Sequence, residues 1–256
     1  MIIEEQNIKK SFKLHFRRIM EDEKIMPLFF EIFVLGTAYV VGGFFRDFLN
    51  GKNSRDIDII VDITNTQLKD LITKSNITYS INRQGGIKIR LKSLDLDIWS
   101  IENNWAFRNK LVKLNGDDKL HSIAKGCFYN FDALVINLHN YAYNLRYYKE
   151  FLKSQNLDIL QLNSVYKNLN PSFEANILRA FYLRYKFNCS YTDNTAYYIQ
   201  KKIGNIQDNH ESVLIRLNEV KMKYPKYDEL SEELIEKFVN EIKLYKLKNN
   251  QHQLDI

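Results

Sequence analysis

Tyr39-Val40-Val41-Gly42-Gly43-Phe44-Phe45-Arg46-Asp47, followed by Arg55-Asp56-Ile57-Asp58-Ile59, is the stretch whose reading decides the fold. Residues 37–41 read as a short buried strand that Gly42-Gly43 stops, and residues 44–49 as a brief helix ended by Gly51. Residues 56–61 form a second strand. Side chains alternate along a strand, so Ile57 and Ile59 share one face while Asp56 and Asp58 share the other. An Asp-x-Asp pair says little by itself in a chain with 31 acidic residues, and neither does a Gly-Gly pair. Their order carries the information: strand, diglycine, short helix, then a strand with two carboxylates on one face.

Each part has a chemical reading. Glycines at a strand end let another group approach the backbone closely. The helix that follows points free N–H groups and its positive dipole end at that place, an arrangement suited to phosphate. Carboxylates two positions apart on a strand lie about 6.6 to 6.8 Å apart on one face and can hold divalent cations through hard oxygen ligands. Such cations bridge phosphate oxygens and activate an attacking hydroxyl, and the donor set favours Mg²⁺, with Mn²⁺ as the alternative. A neighbouring strand at 94–99 puts Leu94, Leu96 and Ile98 on one side and Asp95 and Asp97 on the other, so either carboxylate could complete the cluster.

Outward from this centre, Ile8, Phe12, Phe16 and Ile19 recur at helical spacing, with Lys9, Lys10, Arg17 and Arg18 between them as a solvated face. Residues 66–74 read as a helix, and 77–81 and 87–91 as strands joined around Gly85-Gly86. Beyond about Ala133 the spacing becomes 3.6-like, as in Leu157, Leu160, Val165 and Leu169. Asn170-Pro171 makes a helix start that feeds the stripe Ile177, Leu178, Phe181 and Tyr185. Residues 228–247 read as a last helix before a polar tail from Lys248. The expected class is α+β: a mixed head over 1–140 followed by an all-helical domain over 141–256.

Composition excludes several classes. An apolar fraction of 45% fills a core and excludes disorder, collagen-like repeats and disulfide miniproteins. The 37 basic and 31 acidic residues leave +6, compatible with a polyanionic partner. Cys127 and Cys189 form no CxxC and no metal-ligand spacing, which points to a reducing cytoplasm. No uncharged apolar run of about 18 residues occurs. Residues 27–45 come closest but are broken by Glu31 and three glycines, so no membrane span is expected, and the first residues do not read as a signal peptide.

Gly42-Gly43-x-x-Arg46-Asp47, then Gly51, then Asp56-x-Asp58, resembles the head of the DNA-polymerase-β-like nucleotidyltransferase superfamily. Within it, the likeness is to the branch of class II tRNA nucleotidyltransferase and bacterial poly(A) polymerase. It implies that Asp56, Asp58 and Asp97 are catalytic and hold the metals, and that Gly42, Gly43, Arg46, Asp132 and Arg179 contact the nucleotide. Tyr129-Asn130-Phe131-Asp132-Ala133-Leu134 stands where that branch has Phe-Thr-Ile-Asn-Ala-Leu, and Ile177-Leu178-Arg179-Ala180 resembles the core of its neck helix. The implied activity is transfer of a nucleoside monophosphate from an NTP to an acceptor hydroxyl, with an RNA or tRNA end as acceptor. Alternatives are a nucleotidyltransferase acting on a small molecule or protein, and a degenerate nucleotide- or RNA-binding relative.

Two departures stand against an orthodox CCA-adding enzyme. Gly126-Cys127-Phe128 replaces the Arg-Arg-Asp that precedes the Phe-Thr segment. Asn176 stands in place of the base-selecting arginine, and Ser172 and Phe173 in place of the acidic pair. These exchanges remove charged groups that could discriminate nucleobases. From residues alone, Arg46-Asp47 reads equally as a local ion pair or a phosphate contact, and Trp99 and Trp105 as packing groups. His121 and His139 have no assigned role. The sequence leaves the oligomeric state unknown.

Overall fold

A computed structural model describes residues 5–82, 85–161 and 172–247. The chain divides into two compact units, Met1–Lys149 and Glu150–Ile256. Val165, Leu169, Asn170-Pro171 and the tail from Lys248 lie outside the described residues.

The first unit opens with helix α1 (Ile8–Asp22), which buries Ile8, Phe12, Phe16 and Met20 at 3.6-residue spacing and leaves its basic residues in water. Helix α2 (Met26–Leu35) takes up the apolar run that follows. Strand β1 (Ala38–Val41), helix α3 (Gly43–Leu49), strand β2 (Asp56–Val61) and helix α4 (Asn65–Lys74) come next. Thr64 and Gln67 close α4's first turn as a reciprocal capping box. Strands β3 (Ser80–Ile81), β4 (Ile87–Arg90) and β5 (Asp95–Ser100) then lead to short helices α5 (Trp105–Arg108) and α6 (Lys119–Lys125). Strands β6 (Val135–Asn137) and β7 (Tyr143–Asn144) complete a seven-stranded sheet in the order β3-β4-β5-β2-β1-β6-β7. Only β2 and β5 run parallel within it.

Three expectations shift here. The helical spacing read beyond Ala133 does not begin there, because β6 hydrogen-bonds to β1 and draws residues up to 144 into the sheet. The units accordingly divide at 149/150, inside helix α7 (Arg146–Ser154), where composition points to 140/141. The strand read over 77–81 is confined to its last two residues.

One sheet face carries Ile57, Ile59, Ile87, Ile89, Leu96 and Ile98, all buried, and α3 packs on β1 and β2 while α4 packs on β5. The α3 contact is locked by aromatic rings: Phe12 of α1 meets Phe44, Phe45 and Phe48 edge-on at 5.9, 5.2 and 5.0 Å. The opposite face carries a second cluster at one end. There Tyr39, Ile60 and Val135 pack with Ile123 and Ala124 of α6.

The second unit holds strand β8 (Asn156–Leu157), helix α8 (Phe173–Phe187), strand β9 (Ser190–Tyr191), and helices α9 (Asp193–Asn209), α10 (Val213–Lys221) and α11 (Glu232–Lys243). Among the described residues its only strands are the parallel β8–β9 pair, so Leu157 lies in a strand rather than on a helical stripe. Ser172, Thr192, Ser212 and Ser231 cap α8 to α11 by accepting a backbone N–H. Helix α8 thus starts one residue after its serine cap. Ile177, Leu178 and Phe181 are buried as their spacing implies, but Tyr185 is exposed. The last helix covers 232–243 only, with Ser231 capping its start and Leu244 standing at its end. Glu174 is buried and neutralised by Arg216 at 2.8 Å. No described helix is long and apolar enough to cross a membrane.

Candidate active site

Strand β2 shows where the sheet opens. Its last three residues, Ile59, Ile60 and Val61, are buried, whereas Asp56 and Asp58 alternate as exposed positions with the buried Ile57 between them. Helix α6 packs against this face at Ile60. Parallel pairing sets Asp56 beside Asp95 and Asp58 beside Asp97, making two rungs of carboxylates on one face. Across the next ladder, Lys88 lies opposite Asp97 and Arg90 opposite Asp95.

The diglycine turn adjoins these rungs. Val41 pairs with Asp58, so Gly42 leaves the strand one residue beyond that rung. Gly42 sits at φ 70°, ψ −129°, a conformation essentially restricted to glycine, and its N–H donates to the Leu134 carbonyl at 2.9 Å. No side chain caps α3, whose first-turn N–H groups follow directly. Gly42→Ala places a Cβ where the backbone resists one, costing about 1–3 kcal/mol. The expected result is a lower denaturation midpoint together with weaker nucleotide binding, read by chemical unfolding and by titration with an NTP analogue. An unchanged midpoint would contradict the strain argument.

Arg46 is held tightly. Its Nε and Nη2 donate to Asp47 Oδ1 at 3.2 and 3.0 Å, and Nη1 donates to Asp132 Oδ1 at 2.6 Å. The guanidinium also lies 4.6 Å from the Phe131 ring centroid. Arg46 and Asp132, both nucleotide candidates from sequence, are therefore joined to each other in a clamp between α3 and the 130–132 turn. The ion-pair reading of Arg46-Asp47 has direct geometric support.

Electrostatics mark Asp58. Its carboxyl is open to water yet set deep among protein groups. That enclosure, followed by the charges of Asp56, Asp97 and Asp132, raises it from 3.8 to about 7. Asp97 is raised mainly by desolvation, and Lys88 pulls it back. Desolvation pulls Lys88 down, but its bonds to Asp95 and Asp97 outweigh this and raise it. Burial pushes the Cys127 thiol up, and the charges of Asp132 and Asp58 add to it, so Cys127 also borders the cluster.

The structure thus brings Asp56, Asp58, Asp97 and Asp132 within electrostatic reach of one another beside Gly42-Gly43. Arg179 lies half-buried on α8 in the second unit. Arg184 is engaged by Glu241 and by the rings of Tyr191 and Phe238. Trp105 packs on Phe128, and Trp99 fills the space over Gly86. Sequence reasoning missed Lys88. Its signal was the alternation Ile87-Lys88-Ile89-Arg90, which puts two cations across a hairpin from Asp95 and Asp97.

Among the described residues no three His, Cys, Asp or Glu side chains are grouped to cage a metal ion. The donor chemistry nevertheless fits Mg²⁺, which is held by one or two carboxylates plus substrate phosphates rather than by a protein cage. Asp56 and Asp58 supply two such carboxylates, and among the described residues neither has an ion-pair partner.

Residues 38–113 match the Poly A polymerase head domain family. No curated protein matches the chain by sequence. Among solved structures, a tRNA nucleotidyltransferase complexed with a primer tRNA and an incoming ATP analogue superposes with a TM-score of 0.55 at 17% identity. That match covers 81% of this chain and 57% of the other. A CCA-adding enzyme with CTP gives 0.57 at 18%, covering 82% and 48%. The Thermotoga maritima CCA-adding enzyme complexed with tRNA gives 0.56 at 17%, covering 81% and 47%. The chain therefore spans about half the length of the solved proteins it matches. Residues 38–113 are thus similar to the Poly A polymerase head domain family, within a chain that shares its fold with solved tRNA nucleotidyltransferases and CCA-adding enzymes.

Proposed function

We propose that the chain is a nucleotidyltransferase that transfers a nucleoside monophosphate from an NTP to an acceptor hydroxyl at an RNA end. The observation that carries this reading is the open carboxylate face beside the diglycine turn. The first-turn N–H groups of α3 receive the triphosphate, while Gly42 lets it approach the backbone. Asp56 and Asp58 hold Mg²⁺. When bound, that ion supplies Lewis-acid neutralisation of phosphate charge. Asp97, on the adjacent strand, accepts a hydrogen bond from the acceptor hydroxyl and orients it.

The acceptor oxygen bonds to the α-phosphorus as the bond from that phosphorus to the oxygen bridging it to the β-phosphorus breaks. The electron pair of the broken bond leaves on pyrophosphate, and the hydroxyl proton passes to Asp97 or to solvent. Arg46 stays fixed on Asp47 and Asp132 and holds α3 to the 130–132 turn, which keeps the phosphate-facing backbone in place.

The RNA assignment is supported by the +6 charge and by the solved neighbours that carry tRNA. The test incubates the full chain and Mg²⁺ with each radiolabelled NTP and with total RNA, protein extract or aminoglycosides. Label entering RNA, with affinity falling steeply as salt rises, is expected. Label entering only protein or a small molecule would replace the acceptor, and no label in any fraction would remove the enzyme reading.

A further inference from the structure

The third carboxylate of the acidic face already has a resident cation. Lys88 Nζ lies 2.9 Å from Asp95 Oδ2 and 3.3 Å from Asp97 Oδ2. The placement is built into the sheet: antiparallel register sets Lys88 opposite Asp97, and residues opposite one another project to the same side. Ile87 and Ile89, the flanking residues of β4, are buried on the other side, so the strand cannot turn its lysine away without exposing both. The Asp97 side chain is only 16% exposed, which limits the water available to compete for its charge. Arg90, opposite Asp95, adds a second positive group on this edge.

The two halves of the cluster are therefore unlike. Asp95 and Asp97 are bridged by an ammonium, while neither Asp56 nor Asp58 has an ion-pair partner among the described residues. A divalent cation bridging Asp97 to Asp58 would have to settle beside the lysine ammonium, where like charges repel.

We propose that the Lys88 ammonium takes the place of a second divalent ion on this face, so that the site admits one metal ion, at Asp56 and Asp58, and Asp97 is held by Lys88 as a positioned acceptor for the incoming hydroxyl. This rests on the nucleotidyltransferase reading and specifies it. Lys88 is a positioning residue: it acts through Asp97 and Asp95 and touches no substrate in the scheme.

The experiment counts metal ions rather than turnover. The full chain is saturated with a non-hydrolysable ATP analogue and titrated with Mn²⁺, free ion being read from its solution electron paramagnetic resonance signal. The wild type is expected to hold one Mn²⁺ per ternary complex. Lys88→Gln and Lys88→Met, each with circular dichroism matching the wild type, are expected to hold two. The extra ion should vanish when Asp97→Asn is added, and Lys88→Arg should restore a count of one. Two ions in the wild type, or one in both neutral variants, would overturn the lysine proposal and leave the nucleotidyltransferase reading standing. No bound Mn²⁺ in the wild type would overturn both. Two neutral variants are used because a fold-specific failure of one leaves the other to decide.

Discussion

Asp58→Asn is expected to lower nucleotide incorporation by about three orders of magnitude, while the metal-free protein becomes more stable above pH 7. The loss follows from removing one of the two carboxylates assigned to the metal. Several kcal/mol of transition-state stabilisation goes with it, and about 4 kcal/mol corresponds to a thousandfold in rate.

The stability gain follows from the sign of the Asp58 displacement. The folded chain holds this proton up to about pH 7, whereas an unfolded aspartate releases it near the ordinary value of 3.8. Between those values the folded state binds more protons, so the contribution of Asp58 to stability falls as pH rises through the window and is lowest above 7. Asparagine carries no charge and removes that penalty. Water reaches the carboxylate, so the effect is smaller than the same displacement would produce in a sealed core. Melting temperatures in chelator at pH 5 and pH 8 give the check: the variant should exceed the wild type by more at pH 8. An equal difference at both pH values would show that neither enclosure nor neighbouring charge burdens Asp58.

Phe12→Ala should unfold the head most readily among single changes away from the site. Phe12 is fully buried and its ring meets those of Phe16, Phe44, Phe45 and Phe48. Truncating a packed phenylalanine costs about 3–5 kcal/mol, a loss on the order of 10 °C in melting temperature for a unit of this size. Because three of those rings belong to α3, the damage extends to the phosphate-facing turn, and NTP affinity should fall along with stability. Phe12→Leu retains most of the volume and should cost less than about 1.5 kcal/mol. Calorimetric scans of the three proteins decide the matter. A Phe12→Ala protein that melts with the wild type would mean that α1 does not anchor α3.

The pattern around Gly42-Gly43 was legible because its signals are local. Period-two alternation of Asp56, Ile57, Asp58 and Ile59 needs no partner strand to interpret, and neither does a diglycine ending an apolar run. Helix α1 was legible for the same reason, since Ile8, Phe12 and Phe16 repeat at the helical period. Helix α2 was hidden. Met26–Leu35 is apolar on nearly every side, so it has no amphipathic stripe to read. Strands β6 and β7 were hidden because two or three residues show no period, and only hydrogen bonds to β1 make them strands.

From sequence alone it followed that Asp56 and Asp58 share a face and that a flexible turn precedes a short helix, because both are properties of neighbouring residues on one chain. Which carboxylate stands beside Asp58, and what charge stands beside that carboxylate, depended on register. The parallel alignment of β5 on β2 chose Asp97 as the neighbour of Asp58, and the antiparallel alignment of β4 on β5 put Lys88 against Asp97. A slip of one residue in either ladder would turn the other face outward, so these pairings exist only once the buried isoleucines have locked the sheet.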